Sequence, residues 1–205
     1  VKIAVLVSGS GTILEAILDA GVDVDLVISD RPCRGLAVAS EAGIPSELID
    51  RSAFGGFSAS FDRESYSDAV RDALAGHDID LVAMAGFGTV LGRSIHHRFS
   101  GRILNTHPAL LPLFPGWHGV EDALSAGVSE TGCTIHLATL EMDAGPILAQ
   151  GVVSVVEGDT VETLHERIKA VERVLYPTTI GQALEALQAG QSIEHYFSTK
   201  KEATP

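Results

Sequence analysis

The sequence, 205 residues long, is poor in cysteine, in aromatic residues and in positive charge. Its two cysteines, Cys33 and Cys133, lie far apart and outside any CxxC spacing, which argues against a redox pair or a zinc knuckle and predicts two reduced, buried thiols. Lys and Arg number 14 against 27 Asp and Glu, a formal net charge of -13. That is the wrong sign for a duplex or tRNA partner, which is held by cations that neutralise phosphates, although a local basic patch can still bind one small anion. No apolar run approaches the roughly 20 residues that cross a bilayer. The start, Val1 to Val5, reads as a buried strand rather than a leader, so no membrane partner and a cytoplasmic location are expected. None of the 8 histidines stands in an HExxH or other metal-binding spacing, and no metal is expected. There is no internal repeat and no low-complexity segment.

What is present is alternation. Runs rich in Val, Ile and Leu at residues 3–7, 24–28, 46–49, 79–85 and 101–105 are separated by amphipathic stretches at 12–20, 35–42, 64–74 and 93–99. This order predicts an α/β fold with a Rossmann-like, mostly parallel sheet flanked by helices. Gly43, Gly76 and Gly127 are expected to close helices in the left-handed conformation. After Trp117 a helix at 120–125 leads to two strand-like runs, 132–138 and 147–156, expected to pair as neighbours. Asp159-Thr160 then caps a long helix that Pro177 is expected to interrupt. The organisation expected is one domain over residues 1–190 and a polar, loosely patterned tail over 191–205 with a frayed end.

Ser8-Gly9-Ser10-Gly11-Thr12 follows the first strand and opens the first helix, where free N–H groups and the helix dipole favour an anion such as phosphate. Leu14 replaces the third glycine of a dinucleotide fingerprint and no lysine completes a Walker loop. Asp30 stands near the distance of a ribose-binding acid, which keeps a dinucleotide reading open beside a plain strand-to-helix turn.

The most informative segment is Leu104-Asn105-Thr106-His107-Pro108. In a strand of period two, Asn105 and His107 project to one face, and Pro108 stops the strand before an apolar, Pro-punctuated loop. An Asn amide can donate to a developing oxyanion, and a neighbouring His can give or take a proton near neutral pH, a pair suited to attack on a carbonyl carbon. Asp143, before Ala144-Gly145-Pro146, reads on its own as a turn residue, with orientation of the imidazole as the alternative. No Ser or Cys occupies a nucleophile elbow, which leaves direct transfer between two bound substrates as the simplest chemistry.

Asn105-Thr106-His107-Pro108-Ala109-Leu110-Leu111-Pro112 followed by Phe114-Pro115-Gly116-Trp117-His118 closely resembles the signature of the phosphoribosylglycinamide formyltransferase family of folate-dependent formyltransferases. The likeness extends through Val7 to Thr12, Ala85-Gly86-Phe87, Asp143 to Pro146, and Glu172 with Tyr176-Pro177. The resemblance implies transfer of the formyl group of 10-formyltetrahydrofolate to the glycinamide amine in purine biosynthesis, with small-molecule partners and no metal. It implies that His107 is the general acid, that Asn105 holds the formyl oxygen, and that Asp143 favours the charged form of His107 and helps move protons through a water.

Matched position by position, Gly11, Thr12 and Ile13 fall in the family's phosphate loop. Lys169, Ala170, Val171 and Glu172 fall in a second stretch that holds the same ribonucleotide, with Glu172 facing the amine. Folate contacts are implied for Arg63, for Gly88, Thr89, Val90 and Leu91, for Asn105, and for Thr139, Leu140, Glu141, Met142 and Asp143. Ile13 stands where the family commonly has Asn, Gly88-Thr89 replaces Met-Arg and so removes an apolar wall and a charge, and Val120 replaces a second His after His118. The alternatives are a 10-formyltetrahydrofolate hydrolase or another formyltransferase, and a non-catalytic protein that binds a phosphate ligand. The tRNA-directed and hydrolytic members usually carry a further domain for which this chain has no room, and the net acidity counts against tRNA. A homodimer is compatible with the sequence, which does not fix the oligomeric state.

Overall fold

The computed structural model describes residues 1–202. The chain divides into two compact units, Val1–Leu104 and a second that begins at Asn105. In the first, β1 (Ile3–Val7), β2 (Leu26–Ser29), β3 (Ser46–Leu48) and β4 (Leu81–Ala85) alternate with α1 (Thr12–Asp19), α2 (Arg34–Glu41), a 3-10 turn (Arg51–Phe54), α3 (Arg63–Gly76) and α4 (Arg93–Arg98). β1, Ile-Ala-Val-Leu-Val, is buried at every position, as a strand covered on both faces must be. It pairs in parallel with β2, Ala4 opposite Leu26, and with β4, Ile3 opposite Leu81, while β2 pairs in parallel with β3. Leu14, Ile17, Val38, Ala39, Val70 and Leu74 bury the apolar stripes of α1, α2 and α3.

The second unit holds most of β5 (Ile103–His107), then α5 (Gly119–Ser125), β6 (Glu130–Leu137), β7 (Ile147–Ser154), α6 (Val161–Gln188) and α7 (Ile193–Glu202). β6 and β7 pair antiparallel. Their register slips between Ile135 and His136, because Ile135 faces Ala149 but His136 faces Ile147, so Leu148 is the extra residue of a bulge. Gly132 and Gly151 permit this pairing against α6. A Cβ on Gly132 would lie 1.9 Å from the Gly151 carbonyl oxygen, and one on Gly151 would lie 2.4 Å from Val171 Cγ2's partner methyl, Cγ1. Val120, Cys133, Val153, Leu164 and Ile168 form the core of this unit. The strand order is β3-β2-β1-β4-β5-β6-β7, a mixed, mostly parallel seven-stranded sheet flanked by helices.

Three local expectations need correction. Gly43 and Gly127 do adopt positive φ, but Gly76 is the last residue of α3 and the left-handed position falls on Asp78. α6 runs through Pro177 without interruption. Pro177 cannot donate to the carbonyl one turn back, and the hydroxyls of Thr178 and Thr179 supply extra donors to the Val174 and Leu175 carbonyls beside it. The stretch read as a loose polar tail carries α7, which buries Ile193 and Phe197; residues 203–205 of that stretch lie outside the described residues. Among the described residues no helix is long and apolar enough to cross a membrane.

Candidate active site

β5 ends on the polar pair that its period-two pattern aims to one face. Asn105 Nδ2 donates to His136 Nε2 over 3.1 Å, and His136 Nδ1 lies 3.1 Å from the Leu137 carbonyl. A carbonyl only accepts, so Nδ1 carries the His136 proton and Nε2 is the acceptor that fixes how the Asn105 amide points. The extra residue of the bulge lies on β7, so β6 keeps its alternation and His136 shares a face with Thr134, whose hydroxyl donates to the Ala109 carbonyl just beyond β5.

His107 is buried, with an acceptor at each ring nitrogen. Nε2 donates to the Phe114 carbonyl over 2.7 Å, and Nδ1 lies 3.4 Å from Asp143 Oδ2. Gly119, the first residue of α5, closes on this pair: a Cβ there would stand 3.0 Å from both His107 Nε2 and the Phe114 oxygen.

Asp143 completes the arrangement. Its Oδ1 lies 3.6 Å from His136 Nε2, and its Oδ2 accepts from the Gly116 N–H over 2.8 Å. Burial alone would push this carboxyl up. With Nε2 of His136 accepting from Asn105 and holding no proton to give, the Gly116 N–H and the His107 ring are what hold it below the usual carboxylate range. Its backbone is left-handed, at φ 55°, a conformation that costs other non-glycine residues more than Asp or Asn. The loop is pinned by Gly145, where a Cβ would lie 1.7 Å from the Leu137 oxygen, and by the Leu137 N–H donating to Pro146. Asp143 is therefore both the turn residue and the carboxylate beside His107.

On α6, Glu172 is nearly buried. Burial pushes its carboxyl up, opposed by the Thr106 hydroxyl and by the charges of Lys169 and Arg173. Lys169 itself lies 3.8 Å from Glu166, and Val171 packs on Gly151. In the loop after β6, Thr139 donates to the Glu141 carbonyl, and Leu140 and Met142 are exposed.

The first unit gathers a separate group at the carboxyl ends of β1, β2 and β4. Gly11 caps α1 in the left-handed conformation without a side-chain cap and approaches Gly35 closely, while a Cβ on Gly35 would lie 2.8 Å from Val7 Cγ2. Ile13 is buried, so it meets the core and can offer a ligand only its backbone. Ser8 Oγ accepts from the Gly88 N–H over 2.6 Å. Asp30 is wholly buried and takes hydrogen bonds from Arg31 Nε (2.9 Å), Arg31 Nη2 (3.1 Å) and Thr89 Oγ1 (2.7 Å). Burial raises its carboxyl, but Arg31, Thr89 and Ser8 together hold it low. A carboxylate so engaged is not open to a ribose, which removes the support for a dinucleotide reading. Arg63 donates to the Leu91 carbonyl, and Leu91 is buried. Among the described residues no group of three or more His, Cys, Asp or Glu is placed to hold a metal ion.

A mostly parallel sheet with an amide, an imidazole and a carboxylate brought together at the end of a central strand is an arrangement suited to group transfer at a carbonyl carbon. Comparison with known proteins places it: the family model described as formyl transferase matches residues 1–180, and the chain belongs to that family. It is 47% identical over 182 residues to the phosphoribosylglycinamide formyltransferase of Mycobacterium tuberculosis, covering 85% of this chain and 80% of that one. It is 37% identical over 186 residues to the human trifunctional purine biosynthetic protein adenosine-3, covering 87% of this chain and 18% of that longer protein. Among solved structures, glycinamide ribonucleotide transformylase 1 from Symbiobacterium toebii matches with TM-score 0.83 and 40% identity, over 91% of this chain and 88% of that one.

Sequence reasoning alone missed His136. His136 reads as a core histidine in an apolar strand, and its one signal was a polar ring amid Cys133, Ile135 and Leu137 on a strand next to the Asn-x-His segment.

Proposed function

We propose that the chain transfers the formyl group of 10-formyltetrahydrofolate to the amine of 5'-phosphoribosylglycinamide, a step of de novo purine biosynthesis. The observation that carries this reading is the convergence of Asn105, His107 and Asp143 through His136, on a chain of the formyl transferase family whose relatives named above include phosphoribosylglycinamide formyltransferases.

The glycinamide nitrogen attacks the formyl carbon, forming a C–N bond and moving the carbonyl electron pair onto oxygen. The Asn105 amide, held by His136, has a second N–H to donate to that oxyanion. As the intermediate collapses, the bond from carbon to N10 of the folate breaks, and His107 supplies the proton that N10 takes up. Nε2 is engaged by the Phe114 carbonyl, so delivery requires that bond to be exchanged for one to the donor. Asp143, kept ionised by its neighbours, stabilises the protonated ring and accepts, through a water, the proton that the attacking amine sheds. Gly11, Thr12 and the Ile13 backbone would hold the phosphate at the α1 N-terminus. Lys169 to Glu172 would serve the same substrate, with the Glu172 carboxylate offered to its amine. Arg63, Gly88 to Leu91 and Thr139 to Met142 would bound the folate.

Incubation with both substrates should yield N-formylated ribonucleotide and tetrahydrofolate in equal amounts. Free formate in place of formylated product would point to hydrolysis, and folded protein that yields neither would end the reading.

A further inference from the structure

Residues 108–118, between β5 and α5, run through turns and bends rather than a helix or strand. Ala109 and Leu111 are nevertheless buried, so their backbone groups need partners from outside the loop. Two side chains supply them. Thr134 of β6 is wholly buried, and its hydroxyl donates to the Ala109 carbonyl over 2.7 Å and accepts from the Leu111 N–H over 3.0 Å. Gln150, its register partner on β7, donates through Nε2 to the Leu111 carbonyl and to Thr134 Oγ1, each over 2.9 Å. The one proton and both lone pairs of the hydroxyl are thereby used.

A few residues further on, the same loop carries the groups that face His107 and Asp143. The Phe114 carbonyl accepts from His107 Nε2 over 2.7 Å, and the Gly116 N–H donates to Asp143 Oδ2 over 2.8 Å. Phe114 has φ 54°, a left-handed backbone that is costly for a bulky side chain and persists only where the surroundings over-determine it. The loop is thus fastened at one end to Thr134 and Gln150 and at the other to His107 and Asp143. Between them lies a single turn, closed by the Leu113 N–H on the Leu110 carbonyl over 3.0 Å. Released from the sheet, the loop can let Phe114 relax, and its carbonyl then leaves the His107 ring.

We propose that Thr134 and Gln150 are positioning residues for formyl transfer: they hold the 109–116 loop on β6 and β7 so that Phe114 and Gly116 set the orientation of His107 and Asp143. Both act through the loop backbone. The kinetic part of this inference rests on the proposed function, whereas hydrogen exchange of the Gly116 amide reads the clamp without any turnover. Three variants are compared with the parent. T134V keeps the shape and removes the hydroxyl, T134S returns the hydroxyl, and Q150L acts at an exposed position where truncation of the clamp opens no cavity.

In T134V, kcat should fall about tenfold or more, the scale of a misplaced catalytic group, while both KM values stay within about threefold; T134S should recover most of the loss. Q150L should lower kcat in the same direction, and it carries the test if T134V does not fold. The Gly116 amide should exchange at least about fivefold faster in T134V and Q150L, the scale of one ordinary hydrogen bond, and at nearly the parent rate in T134S. A pair that only fixes the β6–β7 register would lower the urea midpoint and leave kcat and Gly116 exchange at parent values. That result, or a T134S as slow as T134V, overturns the proposal. A parent that transfers no formyl group, but whose Gly116 exchange responds to the three variants as stated, keeps the clamp and counts against the proposed function alone.

Discussion

Replacing His136 by Phe keeps a ring in the buried slot and removes both of its nitrogens. Two partners are then left short: the Asn105 amide loses its acceptor at 3.1 Å and the Leu137 carbonyl its donor at 3.1 Å. A buried polar group left without its partner costs about 1–3 kcal/mol, so a stability loss in that range is expected on urea unfolding. The catalytic cost is larger in kind, because the Asn105 amide is then free to turn its carbonyl oxygen toward the developing oxyanion. Loss of one oxyanion donor lowers kcat by about 10²–10³. H136Q, whose side-chain oxygen can accept from Asn105, should recover much of that. The assay is steady-state formyl transfer at saturating substrates on protein shown to be folded. An H136F kcat within about threefold of the parent, on the scale where one oxyanion donor is worth about 10²–10³, would refute the argument that His136 orients Asn105.

Two other substitutions read the site from different directions. G145A would force a methyl group to 1.7 Å from the Leu137 oxygen, so the loop carrying Asp143 must move; kcat should fall at least about tenfold, the scale of a misplaced catalytic group, with loss of the native amide-exchange protection of Leu137. E172Q removes a carboxyl whose folded-state pKa burial has raised. Such a group contributes stability that is fully present below its unfolded pKa and is lost as pH rises through the folded one. The variant should therefore unfold at higher urea than the parent near neutral pH and match it below about pH 4, while its turnover falls for want of the anion proposed to face the amine. An E172Q midpoint below the parent's at neutral pH would contradict the sign.

Much of the first unit was legible because β1, β2 and β4 are continuous apolar runs and α1, α3 and α4 begin at glycine or a capping side chain. Asn105 and His107 could be aligned for the same local reason, since period two needs no tertiary information. What stayed hidden is non-local. Asp143 looked like a turn because it is one, and only the fold shows that a left-handed Asp also faces His107. That His136 meets Asn105 depends on β6 lying beside β5, a pairing that no window of sequence contains. Ile13 looked like a lost polar contact, whereas its side chain is packed in the core and only its backbone was ever on offer. Pro177 was misread because one lost hydrogen bond does not end a long helix that buries Ile168, Tyr176, Ile180 and Ala183 on either side of it.

The most direct test of the central claim is single-turnover formyl transfer by H107A, with binding of both substrates measured in parallel. The account predicts that substrate affinities stay within a few-fold while the rate of the chemical step falls by about 10²–10⁴, the range for losing a positioned general acid. Formyl transfer at the parent rate by folded H107A would contradict it.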